Sequence, residues 1–247
     1  RSRSFRDQEH CIRFLPDTLV LIGRDETEKA VQTMPRTVEG KFGKAQEFAG
    51  AQVIQASDFQ FDDDAGTMEA WVWMPAAKPE RHGTILRLDS GDPWTYHIIQ
   101  RDANSNCISY TTWDSKQGHG CRSSELAEGW HHIVATHDAA AGKMELFIDG
   151  VSVGKSDYVK TSCRGTHVGI GAYASGGGAN PGNCFVGKID EVRITGDVRT
   201  PTAGAAGGPY EPEARTLLLM HLDEPGKMAV NAAAQGEFRF SPPGVFQ

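Results

Sequence analysis

The sequence predicts an all-β sandwich, and three observations carry that prediction. Apolar and polar residues alternate with period 2 through the middle of the 247-residue chain. Clusters of Gly, Asp, Asn and Pro interrupt the alternation roughly every 10 to 18 residues. No stretch carries the pattern of a long helix.

The strands follow in order. Residues 67–74 read as a strand, as do 84–88, 95–101, 107–113 and 131–136. The series continues through 143–149, 167–171 and 185–194. Met144, Leu146 and Ile148 line one strand face, and Val168 and Ile170 line another. Asp149-Gly150, ahead of Val151-Ser152-Val153, is the strongest hairpin signal, because this pair suits the left-handed backbone of a tight two-residue turn. Residues 195–213 then change character to Ala, Gly and Pro, a linker or wrapping composition.

Strand-like chemistry resumes at Thr216-Leu217-Leu218-Leu219-Met220-His221-Leu222-Asp223-Glu224 and echoes Thr18-Leu19-Val20-Leu21-Ile22-Gly23-Arg24-Asp25-Glu26. This tail either supplies a last strand or opens a second repeat, and the echo favours the repeat. The division is thus an arm at 1–17, a sandwich at 18–200, a linker or wrapping segment at 201–215, and a strand with its tail at 216–247.

Charge and composition exclude several partners. Twenty-five Lys and Arg against 32 Asp and Glu leave −7, the wrong sign for a phosphate backbone, so no nucleic acid is expected. No apolar run approaches the length of a membrane span, so no membrane insertion is expected. The N-terminus has no apolar region behind its positive charge and is no intact signal peptide.

Five cysteines without a Cys-x-x-Cys pair disfavour a zinc ribbon and suit an oxidising compartment. A hairpin centred near Trp113-Asp114-Ser115 would set Cys107 opposite Cys121, and Cys163 and Cys184 bracket a glycine-rich excursion. Two disulfides with Cys11 left over, in a secreted or cell-surface protein, are the expectation.

Five phrases in order carry a family resemblance. They are Gly40-Lys41-Phe42-Gly43-Lys44-Ala45-Gln46-Glu47-Phe48, Thr67-Met68-Glu69-Ala70-Trp71-Val72, Gly129-Trp130-His131-His132-Ile133-Val134-Ala135-Thr136, Leu146-Phe147-Ile148-Asp149-Gly150, and Phe185-Val186-Gly187-Lys188-Ile189-Asp190-Glu191-Val192-Arg193-Ile194. Together they resemble the laminin-G-like branch of the concanavalin-A-like lectin and glucanase superfamily, over roughly residues 18–200. The resemblance implies a jelly-roll sandwich of two curved antiparallel sheets. It also implies a structural calcium held by Asp190, with the carbonyl of Gly50 as a further ligand. Ala49 departs from the aspartate usual in that turn.

Catalytic signatures are thin. The glucanase pattern Glu-x-Asp-x-x-Glu is missing, and Asp149, which could partner Glu145, belongs to a turn. A polysaccharide lyase could draw on His97 and Arg101 on one strand face, Tyr96 and Gln100 on the other, and Tyr110 nearby. His131, His132 and His137 do not chelate zinc, since His131 and His137 would lie roughly 20 Å apart on an extended strand.

Aromatic residues carry the binding expectation, because sugar rings stack their C–H faces on Trp and Tyr. Trp71 and Trp130 read as core. Trp94, Tyr110, Trp113 and Tyr173 are the expected ligand-facing residues. The reading is a secreted non-catalytic module of a larger extracellular protein, its partner a polysaccharide or glycan or an extracellular protein. An architectural interaction domain and a lyase are the alternatives.

Overall fold

The structure is a computed structural model that describes residues 35–57, 61, 63–90, 94–163, 167–173, 183–201 and 207–223, together with two short N-terminal strands. Those two are β1 (Ile12–Leu15) and β2 (Thr18–Leu21), which pair with each other. The remaining strands in chain order are β3 (Arg36–Glu39), β4 (Lys44–Ala49), β5 (Ile54–Ser57), β6 (Ala65–Met74), β7 (Gly83–Asp89), β8 (Thr95–Arg101) and β9 (Ile108–Asp114). They continue as β10 (Gly118–Arg122), β11 (Gly129–Asp138), β12 (Lys143–Ile148), β13 (Val151–Asp157), β14 (His167–Ile170), β15 (Val186–Thr195) and β16 (Thr216–Met220). No helix occurs among the described residues.

Two antiparallel sheets form the sandwich. One has six strands in the order β10-β9-β8-β7-β14-β5. The other has eight, β13-β12-β11-β6-β15-β4-β3 with β16 added beside β15. The core lies between them. Met68, Ala70, Val72, Ile133, Leu146 and Ile189 face inward from the larger sheet, and Leu86, Leu88, Ile99, Val168 and Ile170 from the smaller. Burying such side chains is the main driving force for a fold of this kind, at about 25 cal/mol per Å² of apolar surface.

Most expected strands are found within two residues of their expected bounds. Asp149 and Gly150 take φ values of 52° and 80°, the left-handed pair that joins β12 to β13. Strand β10 was not expected, because Gly-His-Gly-Cys-Arg offers no alternation to read.

Thr216–Met220 pairs with β15 from Val192 to Thr195, so this strand belongs to the present sandwich. Leu218 and Met220 enter the main core, and Leu219 packs on the opposite face with Trp71 and Tyr210. Its echo of residues 18–26 reflects one strand chemistry used twice.

Candidate functional site

Outside the core, the six-stranded sheet carries an aromatic and polar face. Alternation places Arg87, Asp89, Tyr96, Ile98, Thr111 and Trp113 outward. Register aligns them in two rows. Asp89 stands beside Tyr96, which stands beside Trp113 and then Gly118, while Arg87 leads to Ile98, Thr111 and Gly120. Arg87 Nε donates to Asp89 Oδ2 at 3.0 Å, and both residues are buried. The guanidinium carbon lies 4.3 Å from the ring centre of Tyr96 and 4.7 Å from that of Tyr173, so two tyrosines clamp it.

Trp113 is half-buried, its indole lying across Gly118, where a Cβ would come within 2.5 Å of the ring. Trp94 is 64% exposed at the start of β8. Ser115 ties the two loops by donating to the Trp94 carbonyl and meeting Thr95 Oγ1. Burial raises the Tyr96 phenol, with Arg87 pulling it down and Tyr173 pushing it up, so it stays a protonated donor at neutral pH. Three of the four aromatics singled out from sequence therefore belong to one face.

Tyr110 is the exception and a correction. It pairs directly with Ile99 and Cys121 but points inward, fully buried. There it joins a polar cluster between the sheets. Its hydroxyl lies 3.0 Å from His97 Nδ1 and 3.3 Å from His137 Nδ1. His97 Nε2 meets Asp63 Oδ1 at 2.7 Å. Asp63 also accepts from the Tyr158 hydroxyl at 2.5 Å, the Thr161 hydroxyl at 3.1 Å and the Ser162 amide at 2.6 Å. Burial alone would raise the Asp63 carboxyl, but His97, Tyr158 and Ser162 more than offset it, and it lies below its ordinary range.

Arg101 is likewise buried and donates to the carbonyls of Pro75 and Ala77. The lyase constellation of His97, Arg101 and Tyr110 is thus sealed inside the sandwich, where no polymer reaches it.

The expected disulfides are a second correction. Gly118 pairs with Trp113, which centres the hairpin later than expected and sets Cys121 opposite Tyr110. Cys107 lies three residues from Tyr110 and so faces the other side of the sheet. Both are buried thiols, and burial pushes that of Cys121 up to about 12. Cys163 and Cys184 do not bridge either. Cys163 sits at the Leu88 carbonyl and Cys184 beside Thr84, and four residues of β7 separate these points by roughly 13 Å, too far for an S–S bond. Cys11 lies outside the described residues.

Asp190 and Gly50 are not brought together. Ile189 pairs with Gln46 and Val186 with Ala49, so the two residues lie near opposite ends of that ladder, roughly 16 Å apart at 3.3 Å per residue. Asp190 is buried, and its Oδ2 accepts the amides of Lys41 at 2.8 Å and Phe42 at 3.0 Å. Gly40 permits this approach, since a Cβ there would come within 2.7 Å of Oδ2. Calcium needs six to eight oxygen donors. Oδ2 is taken by two amide donors and the Gly50 carbonyl lies far from it, so the two expected ligands do not converge, and Asp190 anchors the 40–43 turn.

Burial, reinforced by the neighbouring charge of Glu191, raises the Asp190 carboxyl to about 7 against the pull of the two amides. A folded value above the unfolded one means a contribution to stability that is full below pH 3.8 and lost as pH rises through about 7. Asp190→Asn keeps an acceptor for the amides and cannot ionise. Urea unfolding of the Asn variant between pH 4 and 8 is expected to show a flatter stability profile, with at least wild-type stability at pH 8. A marked loss at pH 8 would mean that the charge itself is needed.

On the outer face of the larger sheet, residues 207–215 form a strap. Tyr210 packs against Trp71 and Leu219, its ring centre 4.3 Å from the Arg193 guanidinium. Arg193 Nε donates to Glu69 Oε1 at 2.7 Å, and His132 Nε2 lies 3.2 Å from Glu69 Oε2. Glu213 takes Arg193 and Arg199 at 3.2 and 2.7 Å. Between strap and sheet lies a cavity of about 360 Å³ walled by these groups. The pairs of Arg193 with Glu69 and of Arg193 and Arg199 with Glu213 make this a clasp that holds the chain across the sheet.

Comparison with known proteins agrees with this architecture. A laminin G family model, described as the concanavalin A-like lectin/glucanases superfamily, matches residues 48–203. The chain belongs to that superfamily. Several solved structures of similar fold are distant in sequence. The CBM40 of the Ruminococcus gnavus IT-sialidase, bound to α2,3 sialyllactose, aligns with TM-score 0.51 and 12% identity over 63% of this chain and 91% of its own. The heptameric SAP-like pentraxin of Limulus polyphemus aligns with TM-score 0.50 and 15% identity, over 62% and 76% of the two chains. Tailspike protein 2 of Escherichia coli O157:H7 bacteriophage CAB120 reaches TM-score 0.56 at 13% identity, over 78% of this chain and 29% of the tailspike. No curated protein sequence matches the chain. At these identities the likeness shows the β-sandwich fold alone.

Proposed function

We propose that the chain is a non-catalytic carbohydrate-binding module whose ligand lies across the outer face of the six-stranded sheet. One observation carries the reading: Tyr96, Trp113 and Tyr173 gather on one face around the Arg87–Asp89 pair, with Trp94 exposed beside them. Sugar rings offer apolar C–H faces to such aromatics. The buried Arg87 guanidinium, clamped between Tyr96 and Tyr173, sets the position of both rings. The sandwich shared with a sialidase CBM40 bound to sialyllactose supports the class of ligand. An extracellular glycan, met by a secreted or surface-displayed protein, is part of this proposal.

The residues divide into two roles. Trp94 and Trp113 would offer stacking surface, while Arg87 is held in place by Asp89 and the two tyrosines. A glycan array read with the purified chain identifies the saccharide. Calorimetry should then show Trp113→Ala and Trp94→Ala lowering affinity about tenfold or more, equivalent to about 1.4 kcal/mol, with the thermal midpoint of unfolding unchanged. A blank array, or full affinity in both variants, would refute this site and favour association with a protein partner.

A further inference from the structure

We propose that Asp63, His97 and His137 form a buried site for a divalent transition metal of the zinc class, joining the two sheets from within. The three come from separate elements. His97 lies on β8 of the six-stranded sheet, His137 on β11 of the eight-stranded sheet, and Asp63 in the turn before β6. One ligand atom from each lies within 4.8 Å of the others, and all three side chains are buried. Ion-to-ligand distances of about 2.0–2.2 Å need only small rotamer adjustments from that spacing.

The donors select the ion. Two imidazoles and one carboxylate suit zinc or cobalt(II), whereas calcium and magnesium prefer oxygen alone. The surroundings are those of a supported site. The Tyr158 hydroxyl, the Thr161 hydroxyl and the Ser162 amide hold the carboxylate, and the Tyr110 hydroxyl contacts the Nδ1 atoms of both histidines. Such outer contacts fix the orientation of ligating rings and carboxylates. The Phe61 ring packs on both imidazoles, at 5.4 and 5.2 Å between centres, and closes the cluster on an apolar side.

No polymer can reach these groups, but an ion captured during folding could be retained. Ligating imidazoles bind a metal through a deprotonated nitrogen, so uptake weakens in acid.

The test uses the full chain, refolded after chelation and loaded with zinc or cobalt(II). One equivalent of metal is expected to survive gel filtration by elemental analysis, and cobalt should show a visible ligand-field absorption distinct from that of the free ion. His137→Gln and Asp63→Asn should lose that equivalent, Tyr158→Phe should weaken it about 10- to 100-fold, and His131→Ala should leave it intact. A folded wild-type chain that retains no metal overturns the proposal. So does an equivalent retained by folded His137→Gln and Asp63→Asn proteins. Should these variants fail to fold, the imidazole NMR signals of wild-type His97 and His137 decide: zinc must shift both, and unmoved signals refute the site.

Discussion

Replacing Glu69 by alanine is expected to lower the unfolding free energy by about 3 kcal/mol, the lower end of the range for breaking a buried ion pair. Glu69 lies on the central strand β6 with 4% of its surface exposed, directly beside Arg193 in the ladder. Its carboxylate accepts Arg193 Nε and meets His132 Nε2, while His132 stacks on Trp71 at 5.1 Å. Removing it strands a guanidinium that is almost as deeply buried, although Arg193 keeps Glu213 and the Tyr210 ring, which is why the upper end of the range is not reached.

The clasp also holds the strap, so the same variant should be cut faster by proteases within residues 207–215. Burial would raise the Glu69 carboxyl, but hydrogen bonding to His132 and the charge of Arg193 more than offset this, leaving it below its ordinary range. A depressed folded value contributes stability that is present above pH 4.5 and lost as pH falls through the folded value. Wild-type protein should therefore lose this part of its stability in acid. In urea titrations the gap between wild type and Glu69→Ala should narrow below pH 4.5, and a constant gap would deny the ion pair its role.

Gly171→Ala is expected to cost about 2–4 kcal/mol by combining left-handed strain with overpacking. Gly171 has φ of 82°, and a Cβ there would lie 2.0 Å from Phe48 Cε1. Relief is blocked on both sides. The Gly171 amide donates to the Ile85 carbonyl and its own carbonyl accepts from Phe185, while the Phe48 ring is itself buried in the main core. Denaturant unfolding measures the loss. A cost below 1 kcal/mol would show that Phe48 can repack.

Particular residues show where sequence reading succeeds. Alternation in 67–74 and 143–149 is a local property, and it survives into β6 and β12 because a strand with one apolar face has one low-energy orientation. The Asp149-Gly150 turn is equally local, since its backbone geometry follows from two residues. Trp113 and Tyr173 could be nominated as surface aromatics because each adjoins turn chemistry.

Pairing partners are different. Whether Cys107 meets Cys121 depends on where a hairpin turns, and a small displacement of its centre sends one thiol to each face of the sheet. Tyr110 looked like a ligand contact because parity within a strand says which residues share a face but not which face is inside. Asp63 and His137 lie 34 and 40 positions from His97, and only the stacking of one sheet on the other brings them together. The alternation of single strands thus determined the all-β class and many of its turns. Only the tertiary structure decided registers, inner and outer faces, the clasp of Glu69 with Arg193, and the buried Asp–His–His cluster, because each depends on contacts between segments that are distant along the chain.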